Sequence, residues 1–448
     1  MRYRELKGLK GGSVYDLSSS LDHDVVIARH AALVTAAHLR ELNRLGYISS
    51  WALEKSLRVL RRLYESPGSI PRKGYEDVFE YIESMLEEAV GGEALWLPLG
   101  RSRNDHVAAA LRLYVAESTL ALAEAVAEAS EAMLEKARET LGTPMIGFTH
   151  GEPAFIHDSS CLFLAYAESL ADSLPLLAAT LEASLKSPLY AAGGAGTLAP
   201  VDEGRVSRML GFKRSYHSPY YAVASRGFLE ASALSIALVC AEASRIAEDL
   251  VVLHGLRLVR IPEEHVATSS YMPHKENPVT LETARALSSK CVSLAYAVAS
   301  ILSKLRYSYN LDFQEASKAY TESLESALMV LKTLGDAVAG AKVAVDNVHR
   351  IVRETAPCSS EEAEYNSMRS MVPMRLEYAR LAKRRPAEAS PAECLKLAAE
   401  RRTGCVPDKV PGRIDLLEAT IKGYIEGLRR EFPGIEHLYK EVMDASGT

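Results

Sequence analysis

Apolar residues recur along most of this chain at helical spacing, and strand-like alternation is almost absent. Residues 25–45, 52–64 and 75–89 read as three helices, with Gly46 ending the first and Gly91-Gly92 stopping the third. A much longer helix is expected from Asn104 or Asp105, either of which can cap it, to about residue 141. Within it Leu111, Leu113, Val115, Leu120, Leu122, Val126 and Leu134 spread around several faces, as in a helix inside a bundle. Further helices are expected over 156–174, continuing past Pro175 to 185, and over 228–256, 279–307 and 313–346, the last open to interruption at Gly335 and Gly340. That makes five helices of about 25–35 residues between 105 and 346, a long-helix bundle. Beyond it the pattern shortens and prolines multiply (Pro357, Pro373, Pro386, Pro391, Pro407, Pro411). The expected fold is all-α: an N-terminal helical domain over 1–104, a central long-helix bundle over 105–346, and a small C-terminal helical domain over 347–448.

Polar junctions interrupt this pattern. Arg103-Asn104, Thr149-His150 and the string from Ser269 to Asn277 each precede a long helix. In the last, Asn277 reads as an N-cap and Pro278 as the first helical residue, where its missing N–H costs nothing. Helix N-termini attract anions, and arginine clamps a carboxylate with two hydrogen bonds. Three such ends converging on one pocket would suit a substrate with two or three carboxylates, although each motif alone could simply cap its own helix. The Gly-rich connection over 188–204 lacks a preceding strand and phosphate-loop spacing, so it does not read as a nucleotide site.

Composition narrows the function classes. Of 448 residues, 48% are hydrophobic and 25% charged, as in a globular protein. A net charge of −6 gives no reason to expect nucleic acid or an anionic membrane surface as partner. No apolar run was found of the ~18 residues needed to span a bilayer, and the stretch from Met1 to Glu5 has no apolar signal core, so a cytoplasmic protein is expected. The six cysteines lack CxxC spacing, and Cys161, Cys240 and Cys291 lie in apolar helical runs, where buried free thiols are expected. The chain holds a single glutamine, Gln314, and six asparagines. Depletion of thermolabile amides beside plentiful Glu, Arg and Lys suggests a thermophile.

Two strings carry a family resemblance. Ser269-Ser270-Tyr271-Met272-Pro273-His274-Lys275-Glu276-Asn277-Pro278 resembles the GSSxMPxKxNP signature of the fumarase/aspartase superfamily, whose members release fumarate by elimination. Gly100-Arg101-Ser102-Arg103-Asn104-Asp105 matches the GRSRND string of its argininosuccinate lyase branch. Thr149-His150, the segment Tyr309-Asn310 with Asp312 and Gln314, Ser20 followed by Asp24, and the helix from Ser244 to Leu250 resemble further motifs of that branch. The resemblance spans roughly residues 15–350. It implies a fumarase/aspartase-like helical fold, a homotetramer with each site shared between subunits, a small-molecule substrate, and neither metal nor organic cofactor. The implied reaction is cleavage of argininosuccinate to arginine and fumarate in arginine biosynthesis. The alternatives are another N-substituted aspartate such as adenylosuccinate, or a non-catalytic structural protein on the same scaffold.

By resemblance Ser269 is the base that removes the proton next to a carboxylate. Loop amides, Lys275 and the helix end would stabilise its alkoxide. His150 would protonate the leaving guanidinium nitrogen, and Glu282, one turn into the following helix, could orient it. Ser20, Arg103, Asn104, Thr149, Asn277, Tyr309 and Gln314 are the expected substrate contacts. The chain also departs from the family. His106, Glu152 and His274 stand where glutamine is common, which the general amide depletion explains. Thr268 replaces a glycine, Tyr221, Ala224 and Ser225 replace Asp, Ser and Asp, and the lysine expected three residues after Gln314 is displaced to Lys318. These departures bear on the substrate more than on the reaction.

Overall fold

The computed structural model describes residues 18–383 and 390–444. The stretch from Met1 to Glu5, with its reading as free of a signal segment, lies outside the described residues. A 3-10 turn at Asp24–Ile27 leads into α1 (Ala28–Arg44), α2 (Ser50–Glu65) and α3 (Val78–Val90). Ser49 and Asp77 cap α2 and α3 by accepting from the amides of Ala52 and Glu80, so α3 starts later than the apolar pattern implies.

Helix α4 (Arg103–Glu139) has 37 residues and spans about 55 Å. Its cap is Ser102 rather than Asn104 or Asp105. The Asn104 amide donates to Ser102 Oγ at 3.2 Å, and the Ser102 amide donates to Asp105 Oδ1 at 3.1 Å, which closes a capping box.

Next come two antiparallel strands, β1 (Pro144–Thr149) and β2 (Glu152–Asp158), where a helix was expected from 156. The helix waits for Asp158, whose Oδ1 accepts from the Ser160 amide at 2.9 Å. It then runs as two pieces, α5 (Ser159–Ala171) and α6 (Leu174–Ser184). Pro175 is the reason the expected continuous helix breaks: it has no N–H, and its ring excludes the carbonyl four residues back, at Ala171, where α5 stops.

Three further long helices complete the bundle: α7 (Gly227–Gly255), α8 (Val279–Leu302) and α9 (Phe313–Ala339). Helix α9 runs straight through Gly335 and ends at Gly340. A Cβ on Gly340 would lie 2.4 Å from Pro262 Cγ, so only glycine fits there. Then follow α10 (Val345–Thr355), three short helices (Ser359–Ser370, Met374–Leu381, Pro391–Ala399) and α11 (Val410–Glu431).

Helix α7 packs on α8 and α9, α8 on α9, α9 on α4, and α4 on α5 and α6. Helix α11 lies across α4, α5 and α6 with Ile414, Ile421, Ile425 and Leu428 inward, a helical stripe. The chain end returns to the first helices, where Arg61 pairs with Asp444 at 3.1 Å. One buried apolar cluster extends from Leu21 to Met443.

Two sequence expectations need correcting. The stretch Ser159–Ser184 is long and apolar enough to cross a membrane by length and composition, although no such run was expected. Of its 26 residues 15 are buried, it is broken at 172–173, and it packs between α4, α7 and α11, as a core helix does. The cysteines are not free thiols. They form Cys161–Cys405, Cys240–Cys291 and Cys358–Cys394, with Cα atoms 5.8, 6.5 and 5.3 Å apart, inside the usual range for a disulfide. Sequence separations of 244, 51 and 36 residues hid the pairing.

Candidate functional site

A cavity opens where the 3-10 turn, the start of α3, the start of α7 and the start of α9 meet against α4. Ser20, His23, Asp24, Asp77, Arg226, Tyr309 and Gln314 line it over an apolar floor that includes Leu111 and Phe313. Three of the expected substrate contacts, Ser20, Tyr309 and Gln314, therefore share one cavity despite lying almost 300 residues apart. Ser20 Oγ donates to Asp24 Oδ2 at 2.9 Å, and the Val78 amide donates to the same oxygen at 2.9 Å. Burial pushes the Asp24 carboxyl up to about 7 even so. The phenol of Tyr309 is raised by burial, and its ring meets Phe313 edge-on at 5.8 Å.

Arg103 is not among the lining residues, and its guanidinium is engaged by the chain's own acids, Nη1 with the cavity-lining Asp77 at 3.0 Å and Nη2 with Glu76 at 3.1 Å. Asn104, beside it in the first turn of α4, is half-buried.

Thr149 and His150 stand at the exposed tip of the β1–β2 hairpin. The two-residue connection His150-Gly151 has φ of +55° and +83°, as a type I′ turn requires. A histidine held in that region is uncommon, and strain of this kind clusters at functional sites.

The signature string forms a loop between two short paired strands, β3 (Ala267–Thr268) and β4 (Glu276–Asn277). Below it the rings and hydroxyls of His265 and Thr280 meet at 2.9 Å. Within the loop Ser269 Oγ accepts from the amides of Tyr271 at 3.3 Å and Met272 at 3.1 Å. Two N–H groups aimed at one hydroxyl oxygen are the arrangement a serine alkoxide needs. Lys275 is exposed, and Glu282 is exposed in the first turn of α8. Asn277 is not the helix cap: it belongs to β4, and Pro278 occupies the cap position without a side-chain bond.

The cavity lies at the starts of α4 and α7, whereas the hairpin follows the far end of α4, 37 residues long, and the signature loop the far end of α7, 29 residues long. Among the described residues no hydrogen bond, ion pair or ring contact joins any of the three to another. The 37 residues of α4 stand between Arg103 and the hairpin that carries His150.

The structure also draws in residues that sequence reasoning did not put in the site. His23 lines the cavity beside Asp24, whose place in the Ser20 motif the sequence had marked, and His23 Nε2 is buried without a partner. Arg226 is 3% exposed and precedes α7. A cation at the positive end of a long helix is an electrostatic conflict, and that was the one sequence signal that could have singled it out. The Gly-rich connection packs beside the cavity. At Gly194, φ is +115° and a Cβ would lie 3.2 Å from the Tyr220 ring, which accounts for glycine there by close approach. His106, in a glutamine position of the family, is wholly buried against the rings of His38 and Phe79, and burial drives it well below the usual imidazole range.

Comparison with known proteins follows these motifs. A lyase family model matches residues 70–293. An argininosuccinate lyase of Pyrobaculum arsenaticum is 33% identical over 426 residues, covering 90% of this chain and 99% of that relative. Among solved structures, an EDDS lyase in complex with formate superposes with a TM-score of 0.83 at 20% identity, over 99% of this chain and 94% of that one. A class II fumarase from Schistosoma mansoni gives 0.71 at 15% identity, over 84% and 90%. At those identities the two structures establish the helical fumarase/aspartase fold and no more. The sequence relationship runs nearly end to end and includes both signature strings, and it establishes that the chain belongs to the argininosuccinate lyase family.

Proposed function

We propose that this chain cleaves argininosuccinate to arginine and fumarate, in the cytoplasm, as a homotetramer serving arginine biosynthesis. The observation that carries the reading is the relationship, over 90% of the chain, to a relative named for that reaction. Residues 100–105 and 269–278 add the strings through which that family is known. Relatives from thermophilic archaea agree with the amide-poor composition.

In this reading Ser269, as alkoxide, takes the proton from the carbon next to a succinyl carboxylate. The amides of Tyr271 and Met272 already point at its oxygen, and Lys275 adds a positive charge. Electrons from the broken C–H bond form the fumarate double bond as the C–N bond breaks. His150 gives its proton to the departing guanidine nitrogen, and Glu282 orients His150. Thr149, Asn277, Arg103 and Asn104 hold the succinyl half, with Ser20, Tyr309 and Gln314 around the other half.

Two observations support a tetramer with shared sites. The hairpin and the signature loop each lie about a helix length from the cavity in one chain, so one pocket holding all three requires more than one chain. The long helices also keep large apolar side chains in solvent, among them Leu234 and Leu238 on α7 (40% and 41% exposed), Tyr296 on α8 (64%) and Met329 on α9 (59%). Large apolar side chains left in solvent on three helices that pack on one another are what a further helical partner would cover. The test is an ultraviolet assay for fumarate release with argininosuccinate and, separately, with adenylosuccinate. Release from the first alone is expected. Release from adenylosuccinate alone, or from neither, would overturn the assignment.

A further inference from the structure

The chain buries two guanidinium groups, Arg112 and Arg226, and neither has a carboxylate partner among the described residues. Arg112 has other company. It donates to the carbonyls of Ala183 and Ser184, to the Tyr216 hydroxyl and to Ser225 Oγ at 2.8 Å, and it lies over the Phe228 ring. Arg226 is less well served. Its Nη1 donates to the carbonyls of Val223 and Ser225, at 3.1 and 2.9 Å, and its Cζ lies 4.0 Å over the Phe313 ring. Its Nε and Nη2 are buried with no partner at all. Burial and the nearby Arg112 bring its pKa down to about 9, so it still carries its charge at neutral pH. An unpaired buried charge is among the costliest features a fold can retain.

The departures from the family explain how this charge came to be uncompensated. Position 225, between the two arginines, commonly holds an aspartate in the family and here is Ser225, whose hydroxyl is taken by Arg112. At position 317 the family lysine is replaced by Ser317, which lines the cavity. The displaced Lys318 does not line it and pairs with Glu315 at 2.9 Å. Arg226 is thus the one guanidinium or ammonium group among the described lining residues, and it faces a cavity with Asp24 and Asp77 as acidic members. Asp77 is already paired with Arg103 at 3.0 Å, which leaves Asp24 as the acid free of an ion pair, and a wall with one uncompensated cation and one such acid fits a zwitterion. It does not fit the succinyl half, which is purely anionic and belongs with Ser269 and Lys275.

We propose that Arg226 binds the α-carboxylate of the arginine half of the substrate, donating to it from Nε and Nη2, and that this contact takes the place of an internal counter-ion. The inference rests on the argininosuccinate reading above. Arg226 is a binding residue and touches none of the reacting atoms, so its loss acts mainly on KM and only weakly on kcat.

The test uses L-arginine and agmatine, its analogue without the carboxylate, as inhibitors of fumarate release by the whole enzyme. Hydrogen bonds to a charged group account for about 10- to 100-fold in affinity, so wild type should bind agmatine that much more weakly than arginine. In Arg226→Gln the Ki for arginine should rise to the agmatine value, while the Ki for agmatine stays within about threefold, the scatter expected of unrelated contacts. Arg226→Lys, which keeps the charge, should recover part of the arginine affinity and serves in place of Arg226→Gln if that variant does not fold. An arginine Ki unchanged in either folded variant would overturn the proposal. So would equal weakening of both inhibitors, which marks a structural role, or a selective loss of inhibition by fumarate, which assigns Arg226 to the succinyl half. Failure of wild type itself to release fumarate from argininosuccinate would instead sink the functional reading, and this inference with it.

Discussion

Replacing Cys240 and Cys291 together with alanine tests the least expected feature of the fold. The bond joins α7 to α8 and both residues are fully buried. It spans a sequence separation of 51 residues. The loop-closure relation gives an entropy restriction of the unfolded chain of about 14 cal/mol/K, or about 4 kcal/mol at 25 °C. Loss of two buried sulfurs adds a cavity cost of roughly 1 kcal/mol each. The double variant should therefore lose about 4–6 kcal/mol against wild type in guanidinium unfolding followed by circular dichroism. The companion assay is alkylation in denaturant without reductant, read by mass spectrometry. Wild type should take up no alkyl groups until reduced, and six afterwards, because all six cysteines are paired. Uptake at positions 240 and 291 before reduction would refute the pairing. A loss under about 1 kcal/mol would refute the energetic argument even with the bond present.

Further expectations concern the site and its pH response. Ser269→Ala should lower kcat by about 10²–10⁴-fold with little change in substrate affinity, and near-full kcat would remove Ser269 as the base. Mixed tetramers of His150→Asn and Ser269→Ala chains, co-refolded in equal amounts, should regain up to about a quarter of wild-type activity. Each of the two required chains is intact at a given site with a probability of about one half. Activity no greater than that of the separately refolded variants, in proven mixed tetramers, would reject the shared site. Asp24 has a folded pKa of about 7 against an ordinary value of 3.8, so the folded state holds the proton more tightly. Its contribution to stability is fully present below pH 3.8 and is lost as pH rises through 7, at up to about 1.4 kcal/mol per pH unit. Asp24→Asn should flatten that part of the stability profile, whereas an unchanged slope between pH 4 and 7 would show that Asp24 ionises normally.

The long helices α4, α7, α8 and α9 were legible because their apolar residues hold helical spacing over many turns. The β1–β2 hairpin was not. Its strands are short, and Ile156 fits a helix that begins three residues too early as well as it fits a strand. Pro175 was visible in the sequence, and its steric effect on Ala171 was underweighted against the apolar run on either side. Disulfide partners such as Cys161 and Cys405 are invisible along the chain because only folding brings them together. The site divides in the same way. Ser269, Lys275 and Arg103 stand in specific strings, and their identity could be read directly. The engagement of Arg103 by Asp77 and Glu76 could not, nor could the bareness of Arg226, since both depend on neighbours distant in sequence.

The 37-residue α4 has a consequence for the geometry of assembly. It acts as a ruler: Arg103 marks zero, and the His150 hairpin follows the far end, about 55 Å on. A pocket that needs both ends forms when a second copy lies alongside antiparallel, so that each copy's zero meets its neighbour's far mark. Twofold pairing of that kind creates pockets two at a time. It also turns helix length into a matching condition between molecules. Adding one turn to α4 would shift the two marks by about 5 Å at every pocket while leaving the helix itself well formed.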